Sequence, residues 1–197
     1  MRSELKFGKE TKRHNFDWVP VVIKWFIAIV IVCLLAFIFV WYLGHKVSCV
    51  GDSMKPSIQH GDIVLVNRFQ YDVRMPKRGE VVVFKPKGNP QSHSAIKRVI
   101  GIPGDTVQIK EGKVYVNGTV TEEDYIPSDI ENPGLAAEEI LLEENEFFVL
   151  GDNPKGSEDS RMATVGNIER AEIIGRAWLI IKPGEHFGVI EIVSNDL

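Results

Sequence analysis

The chain has 197 residues, 44% of them hydrophobic, with 23 Lys/Arg against 27 Asp/Glu, a formal net charge of −4 and two cysteines. That length supports one domain of ordinary size plus a further segment, and an acidic balance without a basic tract excludes nucleic acid as an expected partner. Cys33 and Cys49 fall in different parts of the chain, so neither a disulfide framework nor a cysteine-rich metal site can be built, and no metal or other cofactor is expected.

Residues 1–17 are polar and mixed in charge, the composition of a disordered tail, and residues 1–24 together are assigned to a cytoplasmic tail. Residues 25–43, from Trp25 to Leu43, run without a charge; as a helix they are about 28 Å long, close to the hydrocarbon thickness of a bilayer. The run has no polar face, is too long for the core of a signal peptide and is followed by no small-x-small cleavage pattern, so it reads as an uncleaved transmembrane anchor. Arg2, Lys6, Lys9, Lys12, Arg13 and Lys24 precede it, whereas only Lys46 and Lys55 follow closely. This asymmetry places the N-terminus in the cytoplasm and the larger part outside the cell membrane. Trp18, Trp25, Trp41 and Tyr42 sit at its ends, where amphipathic rings favour the lipid headgroups.

Residues 44–197 hold 17 Lys/Arg and 24 Asp/Glu, a net of −7. Short runs rich in β-branched residues recur there: Ile63–Val66, Glu80–Phe84, Ala95–Ile100, Thr106–Ile109, Val114–Val116, Phe147–Leu150, Ile173–Gly175 and Ala177–Ile181. Turn signals such as His60-Gly61-Asp62 and Pro103-Gly104-Asp105 divide them, which predicts a mainly β, antiparallel extracytoplasmic domain. Leu135 to Glu144 is the one helical candidate outside the span. Thr121 to Glu146 carries ten acidic residues and no basic one, and 111–146 reads as a small solvated insertion.

The chemistry centres on Gly51-Asp52-Ser53-Met54-Lys55-Pro56, where a glycine and a proline let a turn present the Ser53 hydroxyl. A serine needs a base that is neutral at working pH. His60 and His93 lie near the candidate segments, so a Ser53/His93/Asp159 arrangement is one reading. The other is Lys97, inside the apolar stretch Ala95 to Ile100, where alternation places Ala95, Lys97 and Val99 on one face and Ile96, Arg98 and Ile100 on the other. Desolvation on such a face lowers a lysine pKa; bringing it from about 10.4 to about 8 costs roughly 3 kcal/mol.

Taken together, Gly51 to Ser57, the stretch Lys97-Arg98-Val99-Ile100-Gly101-Ile102-Pro103-Gly104-Asp105 and the stretch Gly151-Asp152-Asn153 through Arg161 resemble the motifs of bacterial type I signal peptidases. The resemblance implies a membrane-bound serine endopeptidase that removes signal peptides from exported precursor proteins, cutting after a small-x-small pattern. It implies Ser53 as nucleophile, Lys97 as general base, Ser157 as a hydroxyl orienting the lysine, and Asp159 with Arg161 as a supporting buried ion pair. It also implies Met54 and Ile96 as the lining of the pocket for the residue before the cut. Ser57, Pro154 and Gly51 depart from the family pattern, and the last leaves the second oxyanion-hole donor unassigned. Two rivals remain: a soluble self-cleaving repressor-type protease, against which the anchor speaks, and a catalytically silent membrane assembly factor, against which the retained Ser53 and Lys97 speak.

Overall fold

A computed structural model describes residues 18–86, 93–121, 126–127, 129–182 and 186–190, with the side chains of 42, 43, 182 and 186 left out. The expectation of a disordered tail over residues 1–17 lies outside the described residues. The chain divides into two units, Met1–Ile38 and Phe39–Leu197.

Helix α1 spans Val19–Leu43, and its first 23 residues, Val19–Trp41, have a mean hydropathy of 3.0, enough in length and composition to cross a membrane. It begins six residues before the uncharged run. Pro20 falls in its first turn, where a missing N–H breaks no helical bond, and Lys24 has a stem long enough to carry its charge toward a headgroup.

Thirteen residues or fewer separate most of the strands that follow: β1 (His45–Ser48), β2 (Ile63–Asn67), β3 (Val81–Phe84), β4 (Ala95–Gly101), β5 (Thr106–Lys110), β6 (Lys113–Val116) and β7 (Thr119–Val120). The rest are β8 (Ile140–Leu141), β9 (Glu146–Leu150), β10 (Ile168–Glu169), β11 (Ile173–Lys182) and β12 (His186–Val189). A one-turn helix, α2 (Gln70–Val73), lies between β2 and β3. The larger sheet has the order β1-β2-β11-β3-β4-β9-β10, with β12 also on β11, and every pairing in it is antiparallel. The runs Ile173–Gly175 and Ala177–Ile181, parted in sequence by Arg176 alone, belong to one strand, β11, whose register against β2 shifts between Ala177 and Leu179, at Trp178 inside the second run.

The smaller sheet has the order β7-β6-β5-β8. It draws β6, β7 and β8 from the 111–146 stretch and β5 from just before it. Leu135 to Glu144 is not a helix. A 3-10 turn at Gly134–Ala137 gives way to β8, because Ile140 and Leu141 pair with Val107 and Thr106 instead of continuing a helical turn.

Three apolar clusters hold the domain. Met54, Ile58, Val64, Val81, Val83 and Ile96 belong to one, whereas Val82, Phe84, Val99, Phe147 and Val149 belong to another. Alternate residues of β3 thus enter different cores, so all four are buried and the strand reads as a continuous apolar run. The third cluster joins Ile100, Phe148 and Leu150 of the larger sheet to Val107, Ile109, Val114 and Val116 of the smaller.

Candidate active site

Ser53 lies in the turn that leads from β1 to β2. Gly51 enters it with φ +92, a conformation that glycine adopts without a Cβ penalty. Lys55 N donates to Asp52 O at 3.2 Å and Ile58 N to Met54 O at 2.8 Å. Met54 and Ile58 are wholly buried, so the turn is pinned by its apolar side chains while Ser53, just ahead of them, stays half-buried. Met54 thus sits in the core; Ile96 shares that core and also lines the cleft beside Ser53.

Lys97 stands opposite Val82 in the β3–β4 register and is 5% exposed. Its Nζ is 2.8 Å from Ser53 Oγ. Burial pushes its pKa below the ordinary lysine value, against a weaker upward pull from Asp159, Cys49, Glu158 and Asp152. Arg98 points the other way and forms a two-pronged pair with Asp152, Nε to Oδ1 at 2.8 Å and Nη2 to Oδ2 at 2.7 Å, while Nη1 donates to Gly79 O at 2.9 Å. One residue of β4 therefore reaches Ser53 and the next ties the strand to the loop that follows β9.

That loop closes on the serine turn. Asn153 N donates to Ser53 O at 3.0 Å, and its side-chain Nδ2 donates to Asp52 O at 3.2 Å. Gly151 allows the approach: a Cβ there would stand 2.4 Å from Ser53 O and 2.3 Å from Ser157 Oγ. Asp159 and Arg161, 0% and 2% exposed, form a buried bidentate pair with Nε–Oδ1 at 2.8 Å and Nη2–Oδ2 at 2.9 Å. Asp159 Oδ2 also accepts from Gly151 N at 3.2 Å. Ser157 Oγ is buried and hydrogen-bonds to none of the described residues, so it makes no bond to Lys97 here.

Ser53 and Lys97 open onto a cleft of about 380 Å³ whose walls include Cys49, His93, Ala95, Ile96, Glu158 and Val165. His93 is exposed on this wall, whereas the group hydrogen-bonded to Ser53 Oγ is Lys97. Sequence reasoning named both members of that pair. It did not foresee the Asn153 clamp, the Arg98–Asp152 pair or the place of Glu158, because each depends on which loop packs against which; the Gly-Asp-Asn run was the one visible signal.

A serine hydroxyl hydrogen-bonded to a buried amine at the edge of an open cleft sets a potential nucleophile within reach of a potential proton acceptor. Residues 22–182 match the family model described as signal peptidase, peptidase S26. Signal peptidase I P of Bacillus subtilis subsp. natto is 32% identical over 90% of this chain and 95% of its own length. The probable signal peptidase I-2 of Synechocystis is 35% identical over 71% of this chain, which spans 64% of that relative. A solved signal peptidase I from Enterococcus faecalis is 30% identical and covers 52% of this chain and 97% of its own, with a TM-score of 0.42. The chain belongs to the signal peptidase S26 family, and with it to the serine peptidases that process signal peptides.

Proposed function

We propose that this chain, anchored by α1 with its N-terminus in the cytoplasm, removes signal peptides from exported precursors outside the cell membrane, with Ser53 as nucleophile and Lys97 as general base. The observation that carries the reading is the 2.8 Å contact between Ser53 Oγ and a lysine amine that burial keeps below its ordinary pKa. Neutral Lys97 takes the hydroxyl proton as Oγ attacks the scissile carbonyl carbon. The oxyanion that forms faces the Ser53 N–H as one donor. Lys97 then gives its proton to the departing amine, leaving an acyl ester on Ser53 and a free mature N-terminus. Deprotonated again, it activates a water that hydrolyses the ester and releases the signal peptide. Asp159 and Arg161 hold the loop beneath this pair, and Ser157 packs against Gly151 at its base.

The cleft's apolar walls, Ala95, Ile96 and Val165, suit an extended substrate with short side chains at the first and third positions before the cut. Met54 backs the Ile96 wall from the core. The test is cleavage of a membrane-inserted precursor carrying alanine at both positions, beside variants with leucine or phenylalanine. The proposal expects a cut after the small-x-small pattern and none in the bulky variants. Tolerance of bulky residues at both positions would contradict the pocket reading, and an intact precursor with every substrate would support the silent assembly factor instead.

A further inference from the structure

His60 is a side chain that the dyad does not use, yet it touches the turn that carries it. The antiparallel ladder of β1 and β2 ends at the Ser48–Ile63 pair, and its hydrogen bonds continue past the strands: Cys49 N donates to Asp62 O at 2.8 Å and Gly61 N to Cys49 O at 2.9 Å. Two residues further along, at Gly51, the chain leaves the strand path with φ +92. There the acceptor is no longer a carbonyl. Gly51 N donates to His60 Nδ1 at 3.0 Å, so an imidazole supplies the last rung of the ladder. This bond requires a neutral ring with its proton on Nε2, since a ring protonated on both nitrogens has no acceptor.

The serine turn is thereby held from both ends. Asn153 grips the carbonyls of Asp52 and Ser53 from the far side, and His60 grips the amide of Gly51, two residues ahead of the nucleophile. Between these two clamps lie the Ser53 N–H that faces the oxyanion and the Oγ that Lys97 must meet. Gly51 has no side chain with which to fix its own peptide, nothing lies within 4 Å of where a Cβ would be, and its carbonyl is met by a 3.9 Å contact from Cys49 Sγ. The orientation of the Gly51–Asp52–Ser53 backbone therefore depends on a partner for the Gly51 amide.

We propose that His60 is a positioning residue for the reaction: by accepting the Gly51 amide proton through Nδ1, it fixes the backbone that presents Ser53 to Lys97 and to the substrate carbonyl. The inference rests on Ser53 being the nucleophile. It assigns His60 no proton transfer, only geometry, and geometry of this kind is felt in turnover more than in binding.

Three substitutions separate the alternatives in the full-length chain in detergent micelles. Asn Oδ1 reaches the position of Nδ1, Gln Oε1 reaches that of Nε2, and Ala offers no acceptor. We expect His60→Ala and His60→Gln to lower kcat about tenfold with KM within about twofold, and His60→Asn to recover most of the loss. Hydrogen exchange of the Gly51 amide should quicken in the Ala and Gln variants and stay protected in the Asn variant. Wild-type kcat in His60→Ala, or His60→Asn no better than His60→Gln, would overturn the inference. Ser53→Ala, run alongside, keeps the two readings apart: if it retains activity the nucleophile is misassigned, whereas if it is inactive and His60→Ala is not, only the role of His60 falls.

Discussion

Gly151→Ala puts the packing of the site to a quantitative test. The added Cβ would stand 2.3 Å from Ser157 Oγ and 2.4 Å from Ser53 O, where ordinary contact begins at 3.4 Å. Ser157 Oγ has no hydrogen bond to lose among the described residues and can rotate away, but Ser157 Cβ, at 2.7 Å, does not move with that rotation. Ser53 O cannot, because it is backbone and accepts from Asn153 N at 3.0 Å. The two loops must separate by about 1 Å, and the displacement falls on Ser53, the proposed nucleophile. A misplacement of that size costs about 10²-fold in rate, whereas overpacking of this kind costs roughly 1–3 kcal/mol in stability, which leaves most of the protein folded. Initial rates on a peptide substrate in micelles, separated into kcat and KM, together with a thermal unfolding curve, measure both effects. The expected variant is folded, binds substrate nearly as well as wild type and turns it over about a hundred times more slowly. A folded Gly151→Ala with kcat within about threefold of wild type would refute the argument that this loop sets the position of Ser53.

Two further expectations concern charge around Lys97. Glu158 lines the cleft and its carboxylate pulls the lysine pKa upward, so Glu158→Gln leaves burial less opposed and should move the acid limb of kcat/KM to lower pH; an upward or absent shift in the pH–rate profile would argue against it. Because the folded-state pKa lies below the ordinary lysine value of 10.5, the unfolded chain holds a proton that the folded one has released between those two values, and stability rises with pH across that window. Lys97→Met removes this dependence. It should raise the urea midpoint at pH 7, with the gain shrinking toward pH 10.5, and an unchanged or lowered midpoint at pH 7 would contradict it.

The β-branched runs of the core strands were legible because β3, β4 and β9 enter apolar clusters on both faces, so their composition alone separates them from the loops. Edge elements were not. β1 reads His-Lys-Val-Ser with mostly exposed positions, and β12 carries Phe187 at 77% and Val189 at 69% exposed; neither has an inward pattern to betray it. The helical pattern at Leu135 to Glu144 failed for a tertiary reason, since Leu135 N bonds to Arg161 O and Ile140 to Leu141 find a strand partner in β5. In the site, Ser53 and Lys97 were singled out by the joint resemblance of their motifs, since a serine in a turn and a lysine on a strand each carry little signal alone. The hydrogen bonds of Asn153, Asp152 and His60 were not legible, because one that spans 9 or 101 positions leaves no mark on the residues between.

The Ser53/Lys97 assignment is tested most directly by kcat/KM for Ser53→Ala, Lys97→Met, their double variant and His93→Ala on one substrate at several pH values. Methionine keeps the approximate volume and apolar stem of Lys97 while removing the amine. The account predicts that each single variant of the pair loses on the order of 10³-fold or more, that the double variant loses hardly more than either, and that His93→Ala retains the wild-type pH profile. Loss of activity in His93→Ala with Lys97→Met still active would show that the histidine is the base and that the lysine is not.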